Sequence, residues 1–163
     1  MKISNIVIVV CCILLLCGCG ASGCYENRNS IPRVALYAYN SPTQTIVADS
    51  ITIYGVGQKR DSLLIECARV SSFTLPFRND ADTTSYVIRY DAKQLTANHI
   101  TDTLTFAYRR YPYFISAECG VTFNYLIDTL IYTSHLLDSA ALQVDEVTNN
   151  DIETLRLYYY VAQ

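Results

Sequence analysis

The sequence has no tryptophan, one methionine, two histidines, four prolines and six glycines in 163 residues. Each scarcity excludes something. His99 lies in TANHIT and His135 in YTSHLL, which leaves little material for a histidine-based catalytic site. Ser134 adjoins His135, but sequence neighbours rarely form a nucleophile–base pair, and the G-x-S-x-G elbow is missing. A loop or core role accounts for both imidazoles. Glycine-rich phosphate loops, the dinucleotide fingerprint and the zinc-binding helix motif are all absent, so no cofactor and no metal is expected. The lack of tryptophan weakens a sugar-stacking platform. Positive charge is scarce too: 12 Lys and Arg stand against 15 Asp and Glu, for a net charge of −3. With Arg109-Arg110 as the only late basic pair, a nucleic-acid partner is not expected.

What is present begins at the front. Lys2 precedes an unbroken apolar run, Ile6 to Leu16, IVIVVCCILLL. A spanning helix needs roughly 20 apolar residues, whereas the hydrophobic part of a signal peptide needs roughly 7–15. Leu16-Cys17-Gly18-Cys19 then resembles the lipobox of bacterial lipoproteins. That resemblance implies cleavage after Gly18 and a diacylglyceryl thioether on Cys19. Ala21-Ser22-Gly23-Cys24 is a weaker second site, farther from the apolar run. The alternatives are an ordinary secretory signal or a membrane-buried helix. Zinc is excluded by spacing, because Cys17 and Cys19 are too close together and no second ligand pair follows. The expected organisation is a signal peptide over 1–18, a polar lipidated tether over 19–30 and one domain over 31–163. Removal of Lys2 with the signal leaves 11 basic and 15 acidic residues, or −4.

Tyrosine is the compositional excess, with 14 copies. An apolar ring with a polar tip suits half-buried strand positions, and Tyr, Val, Ile and Thr together favour strands. Period-two alternation dominates the domain. The clearest case is DTLTFAY, with Leu104, Phe106 and Tyr108 inward. SYVIRY puts Tyr86, Ile88 and Tyr90 on one side, and FTLPF does the same for Phe73, Leu75 and Phe77. Pro76 marks an edge or a strand end, and Pro112 a break. NSPT reads as a turn, and DAKQLTANHI has room for one helical turn. Val121, Phe123, Tyr125 and Ile127 share a face, but beyond Asp128 the parity passes to Leu130 and Tyr132, which predicts a β-bulge there. Asp-Ser or Asp-Thr pairs, Asp102-Thr103 among them, precede several apolar runs and fit local turn chemistry. Strands of this kind, eight to nine in number, predict an all-β fold: an antiparallel β-sandwich, immunoglobulin-like or related, with a β-barrel as the alternative.

Three cysteines remain in the domain and its approach: Cys24, Cys67 and Cys119. An exported protein sits where disulfides persist. The parity Leu63, Ile65, Cys67 places Cys67 on an apolar face as a buried free thiol. Cys24 and Cys119 lie at element ends, so Cys24–Cys119 is favoured and Cys67–Cys119 is the alternative. Asp80 and Asp82 miss the spacing of a calcium loop. Glu26 and Glu118 flank the favoured disulfide, and a hydrolase would need such a pair in a cleft. RRYPYF, with Arg109, Arg110, Tyr111 and Tyr113, combines residue types enriched in interfaces.

The segments CYENRNSIP, SITIYGVGQ, LPFR, DTLTFAY, AECG and YTSHLLDS together resemble a family of uncharacterised Bacteroidota-type lipoproteins, a domain-of-unknown-function family. The resemblance covers the mature chain. It implies a compact β fold in the cell envelope with no assigned catalytic residues, and it adds support to pairing Cys24 with Cys119. In such proteins an acidic cluster after the lipidated cysteine directs them to the outer surface. GASGCYEN has none, which implies an outer-membrane anchor facing the periplasm. The expected function is a non-catalytic binding or scaffolding module, held to the membrane by its lipid and meeting an envelope protein or glycan. A carboxylate hydrolase and a glycan-binding module are the alternatives.

Overall fold

A computed structural model describes residues 23–57, 62–92 and 100–161. Cys19, His99 and most of the segment expected to hold a helical turn lie outside those residues. Among the described residues eleven strands follow one another: β1 Arg33–Ala38, β2 Ser41–Thr45, β3 Ala48–Gly55, β4 Ser62–Val70, β5 Ser72–Thr74, β6 Thr83–Tyr90, β7 Thr101–Ser116, β8 Gly120–Tyr132, β9 Ser139–Leu142, β10 Glu146–Val147 and β11 Glu153–Tyr159. They form two sheets. One has the order β2-β1-β11-β9, with β5 also on β1; the other has the order β10-β8-β7-β6-β3-β4. Neither closes into a barrel, and the architecture is a β-sandwich.

The count exceeds eight to nine because short strands occupy segments that read as connections. β2 starts at Ser41 inside the expected turn, which falls instead on Tyr39-Asn40. Pro42 is accommodated because β2 is an edge strand. The stretch 135–151, of no obvious form in sequence, supplies β9 and β10. β1 and β11 pair in parallel, Val34 with Leu155 and Leu36 with Leu157, so the first and last strands meet mid-sheet.

The core lies between the sheets. Val34, Leu36, Leu155 and Leu157 from one sheet meet Ile51, Ile53, Ile88, Leu104 and Phe106 from the other. At one end the filling is aromatic. Phe77 stacks on Tyr108 at 4.3 Å between centroids and meets the edge of Tyr125 at 5.4 Å. Phe73, Leu75 and Phe77 are all buried, as their alternation predicts, although only Ser72–Thr74 pairs as strand.

Two β-bulges bear on the sequence expectations. Between β7 and β8, Ala107 faces Thr129 and Tyr108 faces Ile127, so Asp128 is the extra residue. The parity switch at Asp128 is therefore a bulge, as expected. Between β3 and β4, Ile51 faces Ala68 and Ile53 faces Ile65, which leaves Glu66 and Cys67 opposite Thr52 alone. Cys67 there has φ 41°. The bulge reverses the parity that placed Cys67 on an apolar face, and its thiol is exposed instead of buried. Pro112 does not break its strand: β7 runs through it, opposite Phe123. β6 accompanies β7 only as far as Ala107, so Pro112 lies where one edge of β7 is open and a missing N–H is tolerated.

Candidate functional site

The length of β7 and β8 creates the most distinctive feature. Beyond Arg109 on β7 and Tyr125 on β8 the two strands continue as an arm, pairing Pro112 with Phe123, Tyr113 with Thr122 and Phe114 with Val121. The arm turns at Ala117–Cys119, where Ser116 Oγ accepts the Cys119 N–H at 3.2 Å. Gly120 closes the turn at φ 75°, a left-handed conformation that a side chain would strain.

Directly opposed residues of an antiparallel pair share a face. Tyr108, Arg110, Pro112 and Phe114 thus lie with Ile127, Tyr125, Phe123 and Val121 on the continuation of the inner face of the sheet. Arg110 and Tyr125 mark where the core ends. Arg110 Nη1 donates to the Asn79 carbonyl, and the Tyr125 hydroxyl donates to the Asn79 side chain. Past that point the inner-face side chains have no opposing sheet among the described residues. Phe114 is 63% exposed, Val121 55% and Phe123 40%, with Tyr113 on the other face at 42%.

The chain reaches the domain along this arm. Cys24 and Cys119 form a disulfide at the turn, with a Cα–Cα distance of 4.8 Å. Cys119 is buried although it sits in a hairpin turn. Thr122 Oγ1 donates to the Arg28 carbonyl at 2.6 Å, and Ser30 Oγ donates to Asn124 Oδ1 at 2.8 Å. Asn27 and Asn149 exchange side-chain amide bonds to each other's carbonyls, at 2.7 and 3.0 Å. From Cys24 onward the expected tether is therefore pinned to the domain. A groove of about 300 Å³ runs between Arg28–Ile31, the Pro76–Asn79 loop and Val121–Tyr125.

Of the four residues expected for interface chemistry, Arg110, Tyr111 and Tyr113 lie on the arm and Arg109 at its root, and three of the four are engaged. Arg109 makes a bidentate pair with Asp128 at 2.8–3.1 Å, which holds that carboxyl below its usual range. Arg110 is tied to Asn79, and the Tyr111 hydroxyl donates to Glu146, which raises its pKa. Tyr113 is left open, and the larger open surface is Phe114, Val121 and Phe123. Val121 and Phe123 carried a signal that was read only as strand alternation.

The carboxylates considered for catalysis or calcium lie apart among the described residues. Glu26 and Glu118 are both exposed, beside the disulfide, and neither lines the groove. Asp80 is held by Arg78 at 3.1 Å. Among the described residues no cluster of three or more His, Cys, Asp or Glu is placed to hold a metal ion. The exposed tyrosines Tyr25, Tyr39, Tyr113 and Tyr160 are spread over separate elements, whereas Tyr86, Tyr90, Tyr108, Tyr125 and Tyr159 are core.

At the opposite end of the sandwich the chemistry is structural. Asp102, fully buried, accepts the backbone N–H groups of His135, Leu136 and Leu137 at 2.7–2.9 Å, the Thr133 hydroxyl at 2.9 Å and the Tyr90 hydroxyl at 3.0 Å. Burial opposes its ionisation, but the three N–H donors and Thr133 together hold its carboxyl below the usual range. Tyr90 and Tyr159 touch through their hydroxyls at 3.2 Å, and burial pushes both phenols far up. Outside them an apolar groove of about 520 Å³ is lined by Ile46, Ile51, Leu136 and Tyr160 among others. His135 Nδ1 lies 2.7 Å from the Thr101 carbonyl, as befits a loop residue.

The fold and this site define a class: a two-sheet β-sandwich carrying a hairpin arm that is disulfide-bonded to its own N-terminal approach. The chain belongs to DUF6452, a family of unknown function whose model matches residues 50–159. That match spans the arm, Cys119 and Asp102, and begins after β1 and Cys24. No curated protein and no solved structure matches the chain.

Proposed function

We propose that this protein is a lipid-anchored envelope module that binds or scaffolds a partner, with Cys19 as the acylated residue and the sandwich displayed on the periplasmic side of the outer membrane. The observation that carries the reading is the Cys24–Cys119 disulfide. Structural disulfides belong to oxidising compartments, so the bond agrees with the export signal that precedes it. Its position also agrees with an anchor, because it locks the chain to the domain five residues after Cys19. A domain hanging from a long slack tether has no need of that lock, whereas one that must keep a fixed orientation near a surface does. One acyl chain anchors only marginally, and a diacylglyceryl cysteine supplies at least two. The partner is an envelope protein or glycan of unassigned identity, and nothing in the arrangement asks for a chemical step.

The test is metabolic labelling with radioactive palmitate in a bacterial host. The wild-type chain takes up label and sediments with membranes, and Cys19→Ser takes up none. Equal labelling of Cys19→Ser would move the anchor elsewhere. No labelling of either chain would remove it.

A further inference from the structure

The arm is the surface the function above does not explain. It leaves Phe114, Val121 and Phe123 open on one face and Tyr113 on the other, and Tyr25, at 94% exposure, directly follows the disulfide-bonded Cys24. Between Tyr111 and Tyr125 the only charged residue is Glu118, in the turn. Open apolar patches of this kind mark interaction sites, and aromatic rings beside polar backbone suit the membrane–water interface. What covers the patch is indicated by the chain that leads into it. Cys24 is bonded to the turn of the arm, and four residues lie between it and Cys19. At full extension those five residue-to-residue steps span about 17 Å. A lipid on Cys19 therefore holds the arm tip within that distance of the leaflet whatever the intervening chain does, and the tip can reach the headgroup region.

We infer that the β7–β8 arm is a membrane-docking element: Phe114, Val121 and Phe123 on one face, with Tyr113 on the other and Tyr25 next to the disulfide-bonded Cys24, insert into the interfacial layer of the phospholipid leaflet that holds the lipid. The inference rests on the anchor proposed above. The contact is chiefly apolar: Arg28 is the one cation lining the groove beside Val121 and Phe123, and Glu118 and Glu26 next to the disulfide offset it. It also orients the domain. The arm tip points to the membrane, and the end carrying Tyr90, Tyr159 and Tyr160 points away, because β7 runs from Asp102 at that end to Ser116 at the tip.

The absence of tryptophan makes the test direct. Three single-tryptophan proteins are prepared in lipidated form, Phe114→Trp, Phe123→Trp and the distal reference Tyr160→Trp. They are reconstituted in phosphatidylethanolamine–phosphatidylglycerol vesicles with brominated acyl chains. The expected result is a blue shift and strong quenching for both arm reporters, unchanged at high salt, while the reporter at position 160 keeps its aqueous emission. Vesicle-bound protein with unquenched arm reporters would overturn membrane docking, leave the anchor intact and assign the patch to a partner protein. Quenching that vanished at high salt, where exposed charges are screened, would overturn an apolar contact. Equal quenching at position 160 would overturn the orientation. Protein that failed to float with the vesicles would overturn the anchor and the docking together.

Discussion

Removing the Asp102 carboxylate is the sharpest perturbation of this fold. The residue sits in phase with Leu104, Phe106 and Tyr108 on the core face of β7 and collects five donors from two places: Tyr90 of β6 and the Thr133–Leu137 segment that follows β8. Hydrogen bonds to a charged group contribute about 1.5–3 kcal/mol each, and a buried donor left without a partner costs about 1–3 kcal/mol. The five are not additive, since they share one group. Asp102→Asn keeps the shape and one acceptor oxygen but turns an NH₂ toward backbone N–H groups. A loss of about 3 kcal/mol is expected, near the severe end for single substitutions. With an unfolding slope in urea of about 2 kcal/mol per molar, the midpoint falls by about 1.5 M. A shift under about 0.5 M, or a changed slope, would refute the reasoning, because one oxygen would then be serving as well as two.

The same carboxylate gives a pH signature that separates the two influences on it. Burial favours the neutral acid, and the five bonds favour the anion; the bonds win, and the folded pKa lies below the ordinary value of 3.8. The unfolded chain binds this proton more readily, so the contribution is complete above roughly pH 4–5 and is lost as pH falls through the folded value. The stability gap between wild type and Asp102→Asn should therefore stay constant from neutral pH down to about pH 5 and close only in stronger acid. A gap that narrowed above pH 5 would mean that burial wins.

Other consequences are simpler. Cys24→Ser, or reduction of the wild type, opens a loop of 95 residues and should lower stability by about 2–5 kcal/mol in urea unfolding. Phe77→Ala removes a ring packed on Phe106, Tyr108 and Tyr125, and a loss of about 3–5 kcal/mol is expected from thermal or urea unfolding. Asp128→Ala breaks an exposed ion pair, and the unfolding midpoint should not move measurably, as is usual for surface pairs. In a chain beginning at residue 20, a maleimide should label the folded protein once, at the exposed Cys67; two or more labels would contradict the Cys24–Cys119 bond.

Much of this was legible because a strand shows its faces one residue at a time. Leu104, Phe106 and Tyr108 announce their burial by spacing alone, and the bulge at Asp128 shows as a slip in the same count. Asp102 carried that signal too, since it lies two residues before Leu104 in the same phase. Its polar character fits local turn chemistry equally well, and four of the five donors that justify its burial come from residues 31 to 35 positions away. Cys67 was illegible for the opposite reason. A bulge in an edge strand adds one residue without changing composition, so parity counted through it gives the wrong face. The parallel β1–β11 pair is fixed by partners more than a hundred residues apart, which no local pattern reports.

The arm shows where alternation stops being informative in principle. Phe106, Tyr108, Arg110, Pro112 and Phe114 share one phase along β7, and the first two are buried while the rest are open. Arg110 is the one charged member of that stretch, but the alternation itself runs on unchanged past it. The difference is the reach of the opposing sheet, which β1 and β5 extend no farther than Arg33 and Thr74, and the closure of the core by Arg110 and Tyr125 on Asn79. A period-two pattern specifies which side chains need cover and is silent on whether the protein's own chain supplies it. Among the described residues the cover ends where Phe114, Val121 and Phe123 begin, and the disulfide brings Cys24, and with it the chain that leads into the domain, to the turn of that same arm; that juxtaposition is what the proposed membrane contact rests on.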